Sequence, residues 1–70
     1  MNRIDAGKLA KGTNVKVSLD SGRILIEGRT TGTMGDDGRV PVSFTKVTKN
    51  VTGAPVPKNG KVPCANISRM

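Results

Sequence analysis

The feature that most constrains this chain is the strict alternation of aliphatic and polar residues in short runs cut apart by turn residues. In TNVKVSL (13–19), Val15, Val17 and Leu19 alternate with Asn14, Lys16 and Ser18. RVPVSFT (39–45) repeats the pattern, with Val40, Val42 and Phe44 against Arg39, Pro41, Ser43 and Thr45. A period of two places one set of side chains on a buried sheet face and the other in water. Helical periodicity is almost absent; Gly7 and Gly12 leave room for one helical turn between Ile4 and Lys11. Nine glycines and four prolines among Val, Ile and Thr read as short strands joined by tight turns.

Asp20-Ser21-Gly22 is turn chemistry, with Gly22 in the left-handed position. RILIEGRTTGTM (23–34) then reads as a long second strand, Ile24 and Ile26 inward, Arg23 and Glu27 outward. Gly28 and Gly32 mark a bend or bulge within it. Gly35-Asp36-Asp37-Gly38 is the next turn. Pro41 lacks an N–H, so the third strand is expected to lie at an edge or to break there. Beyond Phe44 the parity slips: Val47 and Val51 leave the face of Phe44, which predicts a bulge or corner near Thr45–Lys46. Gly53–Pro57 reads as a loop or edge segment.

PVPKNGKVP (55–63) is nearly a mirror about Asn59-Gly60, a dipeptide suited to the two positive φ angles of a type I′ hairpin turn. Folded there, Lys58 stands opposite Lys61. Two charges about 6 Å apart in water repel by only about 0.7 kcal/mol, and a phosphate between them would reverse the sign. The alternative is that both splay into solvent and guard the hairpin tip. A last short strand is expected around Lys61–Ile67. GRVPVSF (38–44) is echoed by GKVPCAN (60–66), too short a match for a repeat and readable as two turns opening onto strands in the same way.

The 70 residues make one domain, 1–70, with about two-thirds of its unfolded surface buried at best. With one Phe, no Trp and no Tyr, the core must be aliphatic and thin. Five short strands at this spacing predict an all-β fold, a small five-stranded barrel with tight hairpin turns. Two stretches carry a resemblance. KLAKGTNVKV (8–17) resembles the Leu, the Lys-Gly turn and the alternating valines that open a Src-homology-3-type barrel. GKVPCANI (60–67) resembles that fold's closing Gly-x-Val-Pro-x-x-x-Ile, with Val62 and Ile67 as core residues. VKVSLDSG (15–22) looks like the first half of an Sm-type motif, and the glycine spacing over 12–32 is similar to basic modules of the KOW type. Polyproline-binding members of the superfamily use a shelf of Tyr and Trp, and this chain has neither. What the basic relatives imply is a small barrel touching nucleic-acid backbone through loops and strand faces.

Charge points the same way. The chain carries 12 Lys+Arg against 5 Asp+Glu, a formal net of +7. All five acids and six of the bases precede Gly38; the remaining six bases, Arg39, Lys46, Lys49, Lys58, Lys61 and Arg69, occupy an acid-free stretch. An anionic partner is the reading of that asymmetry; solubility and blunted sheet edges are its bland alternative. Those six residues are the candidate nucleic-acid-binding set. Lys16, Arg23 and Arg29 either extend it or pair with Asp20 and Glu27. Phe44 belongs to the core by its alternation, so no base-stacking platform is expected. The expected contact is therefore to phosphates of duplex DNA or structured RNA, with little sequence readout.

Other chemistry has little to work with. There is no His, and Cys64 has no partner to activate it, so it reads as a space-filler. Asp36 and Asp37 diverge in their turn, and no catalytic residue, cofactor or metal site is expected. No apolar run suggests a leader or a membrane span, so the expected location is cytoplasmic. The alternative function is a non-enzymatic assembly module, phage- or plasmid-encoded, that forms a homo-oligomer or binds an acidic protein.

Overall fold

The computed structural model describes residues 2–70. A helix α1 (Arg3–Gly7) is followed by β1 (Asn14–Leu19), a 3₁₀ turn (Asp20–Gly22), β2 (Ile24–Thr30) and the long β3 (Arg39–Asn50). Then come β4 (Asn59–Pro63), a second 3₁₀ turn (Cys64–Asn66) and β5 (Ile67–Arg69). The five strands form one antiparallel sheet in the order β4-β3-β2-β1-β5, curled into a half-barrel.

The alternating valines do what period two requires. Val15 and Val17 of β1, Ile24 and Ile26 of β2, Val40 and Val42 of β3, Val62 of β4 and Ile67 of β5 are all buried on the concave face. Ala6 and Leu9 from the N-terminal segment and Cys64 from the second 3₁₀ turn cover this face. Burying one such aliphatic side chain contributes about 1.5–3 kcal/mol, so few residues carry the fold. The helix begins where the Asn2 side chain accepts the Asp5 N–H at 2.8 Å, and it ends at Gly7 so that Leu9 can turn inward. Thr30, the one buried polar residue among those described, donates to the Ala10 carbonyl at 2.7 Å and accepts the Thr13 N–H at 3.0 Å, tying that segment to β2.

The curl comes from the β2–β3 pairing. Its register slips twice, leaving Thr45 and Thr48 as extra residues on β3. Each bulged threonine turns its hydroxyl onto a β2 carbonyl: Thr45 on Glu27 at 3.0 Å and Thr48 on Leu25 at 3.1 Å. A bulge removes ladder bonds and bends the strand, and here side chains replace part of what the backbone loses. Gly28 sits beside the first slip. A Cβ there would lie 2.7 Å from both the Ser43 carbonyl oxygen and Val42 Cγ1, so only glycine allows so close a crossing. The two slips return Val47 to the face of Ile26.

Five sequence expectations need correction. The second strand stops at Thr30 instead of reaching Met34. The third neither breaks nor forms an edge at Pro41, because β3 lies between β2 and β4. Pro41 is tolerated because β2 ends there; Thr31 donates to the Pro41 carbonyl, and no further β2 residue needs the missing donor. Phe44 faces inward but is only half-buried, at the margin of the core.

The largest correction concerns Asn59-Gly60, which makes no hairpin. Both residues belong to β4, paired with Ser43 and Val42. Pairing along β3 buries Val62 against Val40, and that apolar gain outweighs a local turn preference. The echoed tetrapeptides become an antiparallel pair centred on Val40 and Val62, with Arg39 opposite Pro63 and Lys61 opposite Pro41. The expected last strand is also split, with Cys64 buried in the 3₁₀ turn between β4 and β5.

Candidate nucleic-acid interface

Which bases share a face depends on register. On β3, Arg39 alternates with buried Val40 and so points outward. Lys61 alternates with buried Val62 and is a diagonal neighbour of Arg39 on that outer face. Beyond the first bulge, Lys46 is paired with Glu27; beyond the second, Lys49 is paired with exposed Leu25. Both lysines are therefore also on the outer face. At about 3.3 Å per residue, β3 is long enough to span the molecule's 32 Å long axis. Arg39, Lys61, Lys46 and Lys49 form a stripe along it.

Two bases from the first half of the chain join the stripe. Lys16 lies opposite Glu27 from the β1 side, and Arg29 lies opposite Ser43. Arg29 also donates to the Asn14 side-chain oxygen at 3.3 Å. Glu27 is the one acid within the stripe, placed between Lys16 and Lys46 at cross-strand partner positions. Six cations against one carboxylate leave this face strongly positive.

Lys58 and Arg69 do not belong to it. Lys58 precedes β4 with its backbone carbonyl bonded to the Phe44 N–H, and it has the inward parity of Gly60 and Val62. It precedes Lys61 along the same chain by about 10 Å instead of facing it, so the two cannot clamp a phosphate as hairpin partners. Arg69 pairs with Val15 at the far edge of β5. Sequence asymmetry thus located four of the six stripe members; Lys16 and Arg29, left open between extending the set and pairing with Asp20 and Glu27, stand on the same face. The signal for those two was their outward parity beside Val15, Val17, Ile26 and Gly28.

Depressions open on the outer face. One of about 410 Å³ lies across β1, β2 and the bulge of β3, bounded by Lys16, Ser18, Leu25, Glu27, Thr48 and Ser68. Another, of about 310 Å³, lies where β2 leaves β3 and is lined by Thr31, Pro41, Ser43, Asn59 and Lys61. Among the described residues, no group of three or more His, Cys, Asp or Glu side chains could hold a metal ion. No helix among them is long and apolar enough to cross a membrane. Compared with known proteins, the chain matches no family model, no curated protein and no solved structure.

Proposed function

We propose that this chain is a cytoplasmic, non-enzymatic, basic barrel of the Src-homology-3 superfamily that binds duplex DNA or structured RNA through its phosphates, as an accessory or regulatory protein. One observation carries this reading: Arg39, Lys46, Lys49 and Lys61, with Lys16 and Arg29, occupy one outer sheet face with Glu27 as its only acid. Neutralising phosphates and releasing their counterions needs only such a surface. The superfamily assignment draws support from the meander β1-β2-β3-β4, with β5 returning beside β1 after a 3₁₀ turn. No aromatic ring stands on the outer face, which favours backbone contacts over stacked bases.

The test is a gel-shift panel with duplex DNA, single-stranded DNA and structured RNA at two salt concentrations. Lys46→Glu with Lys49→Glu is expected to weaken binding about tenfold for all sequences alike and to reduce the salt slope by about two. Lys58→Glu with Arg69→Glu is expected to do much less. Equal losses from both pairs would mean that net charge, not this face, governs binding.

A second reading is assembly. β4 and β5 each pair on one side only, and Val47 and Val51 are 43% and 66% exposed. Against it, Lys61 and Pro63 blunt the β4 edge. Light scattering at low and high salt separates the readings: a salt-stable oligomer without nucleic-acid retention favours assembly.

A further inference from the structure

The second depression of the outer face is built by the end of a strand. β2 pairs with β3 as far as Thr30 and Val42, Thr31 makes one more bond to the Pro41 carbonyl, and the chain then turns away. The outer surface of β3 and β4 beyond this point is left uncovered. Pro41 forms its apolar floor; Thr31, Ser43, Asn59 and Lys61 stand around it. Two hydroxyls, an amide and an ammonium can all donate hydrogen bonds. Among the described residues, none of these four side chains has a hydrogen-bond partner.

Three cations stand on the outer faces of the strands near this space, one of them, Arg29, bonded to Asn14 on β1. Lys61 lines it, Arg39 is its diagonal neighbour, and Arg29 lies across from Ser43. No carboxylate is among its lining residues. Glu27 is two residues from Arg29 along β2, opposite Lys16 and Lys46. The Asp37 carboxylate accepts the Arg39 backbone N–H at 3.0 Å in the turn before β3. A depression lined by four donor-bearing side chains, one of them an ammonium, and by no acid suits a tetrahedral oxyanion and discriminates against a cation.

We propose that this depression is a discrete phosphate site: one phosphate seats on Lys61, Ser43, Asn59 and Thr31, beside Arg39. The inference rests on the nucleic-acid reading for its natural occupant, a backbone phosphodiester; free phosphate is the other source of the same chemistry. It replaces the Lys58–Lys61 clamp that the folded β4 does not permit. It also fixes the register of a duplex on the stripe, because one phosphate is held by directed hydrogen bonds while Lys46 and Lys49 contribute only charge.

Titration of the isotope-labelled full chain with a short duplex, and separately with inorganic phosphate, tests this by amide chemical shifts. With both ligands, the expected shifts centre on Thr31, Ser43, Gly60 and Lys61. Lys61→Gln and Ser43→Ala are each expected to weaken duplex binding about three- to fivefold. Lys61→Gln alone should lower the logarithmic salt slope, by about one. Neither residue is in the core, and the wild-type titration decides the question by itself if a variant loses its dispersed spectrum. Duplex binding with unchanged affinity in both variants, and shifts confined to Lys16, Lys46 and Lys49, would overturn the site while leaving the nucleic-acid reading standing. Phosphate-induced shifts in the depression of a chain that binds no duplex would keep the site and remove that reading. No shift with either ligand would overturn both.

Discussion

The two halves of β3 are built on different terms. From Arg39 to Phe44 the strand alternates strictly, pairs with β4 over Arg39–Ser43 and with β2 from Val42 onward, and buries Val40 and Val42 completely or nearly so. From Thr45 to Asn50 it has only β2 beside it, bulges twice, and buries no side chain. Val47 has the inward register of Ile26, yet it stays 43% exposed. The neighbouring β1–β2 turn adds strain: Asp20 and Ser21 hold φ of 50° and 55°, in the left-handed region. A core drawn from so few aliphatic side chains seals one end of the half-barrel. At the other end β3 buries none of its own side chains and is held to β2 by backbone ladders and threonine hydroxyls. The basic stripe crosses both, so its Arg39–Lys61 part rests on a packed base and its Lys46–Lys49 part on a bulged ribbon.

The substitution expected to hurt most falls at the junction of the halves. Gly28→Val places atoms where the Ser43 carbonyl already lies, and a loss of about 3 kcal/mol is expected in urea unfolding. A fully folded variant of wild-type midpoint would show that the crossing is looser than described. Next comes a matched pair within β3. Val40→Ala should cost about 2 kcal/mol, while Val47→Ala should stay within about 0.5 kcal/mol. Equal thermal shifts for the two would erase the distinction between sealed and open ends.

Smaller still is the effect at a bulge. Thr48→Val keeps the shape but removes the hydroxyl that reaches the Leu25 carbonyl, with an expected loss of about 1 kcal/mol. Hydrogen exchange in this variant should quicken across Lys46–Asn50 and leave Val40–Val42 protected. Protection lost evenly along β3 would argue against two separable halves. The smallest expected change is a gain: Ser21→Gly relieves the left-handed strain and should raise stability by about 0.5 kcal/mol, after the flexibility added to the unfolded chain. A destabilised Ser21→Gly would mean that the serine side chain supports the turn.

Legibility in the sequence followed the range of the interactions. Val15, Val17, Ile24, Ile26, Val40 and Val42 were readable as core because alternation is local, and the bulge near Thr45 was readable because it breaks alternation. Asn59-Gly60 was misread by the same local logic. Its dihedral preference favours a hairpin, but the pairing of Val62 with Val40 joins residues over 20 positions apart and decides the outcome. Pro41 was misplaced for a related reason, since whether its missing donor matters depends on where another strand stops.

From the chain alone came an all-β architecture, an aliphatic core without aromatics, and the positive excess with its concentration after Gly38. Tertiary structure decided which cations stand together. A lysine's face is set by the register of its strand, and that register depends on two bulges, a glycine crossing and the partner strands on either side. Those choices gathered Lys16 and Arg29 beside Arg39, Lys46, Lys49 and Lys61, and they left Lys58 and Arg69 apart. Charge can be counted along a sequence, but the field it makes depends on distances that exist only after folding.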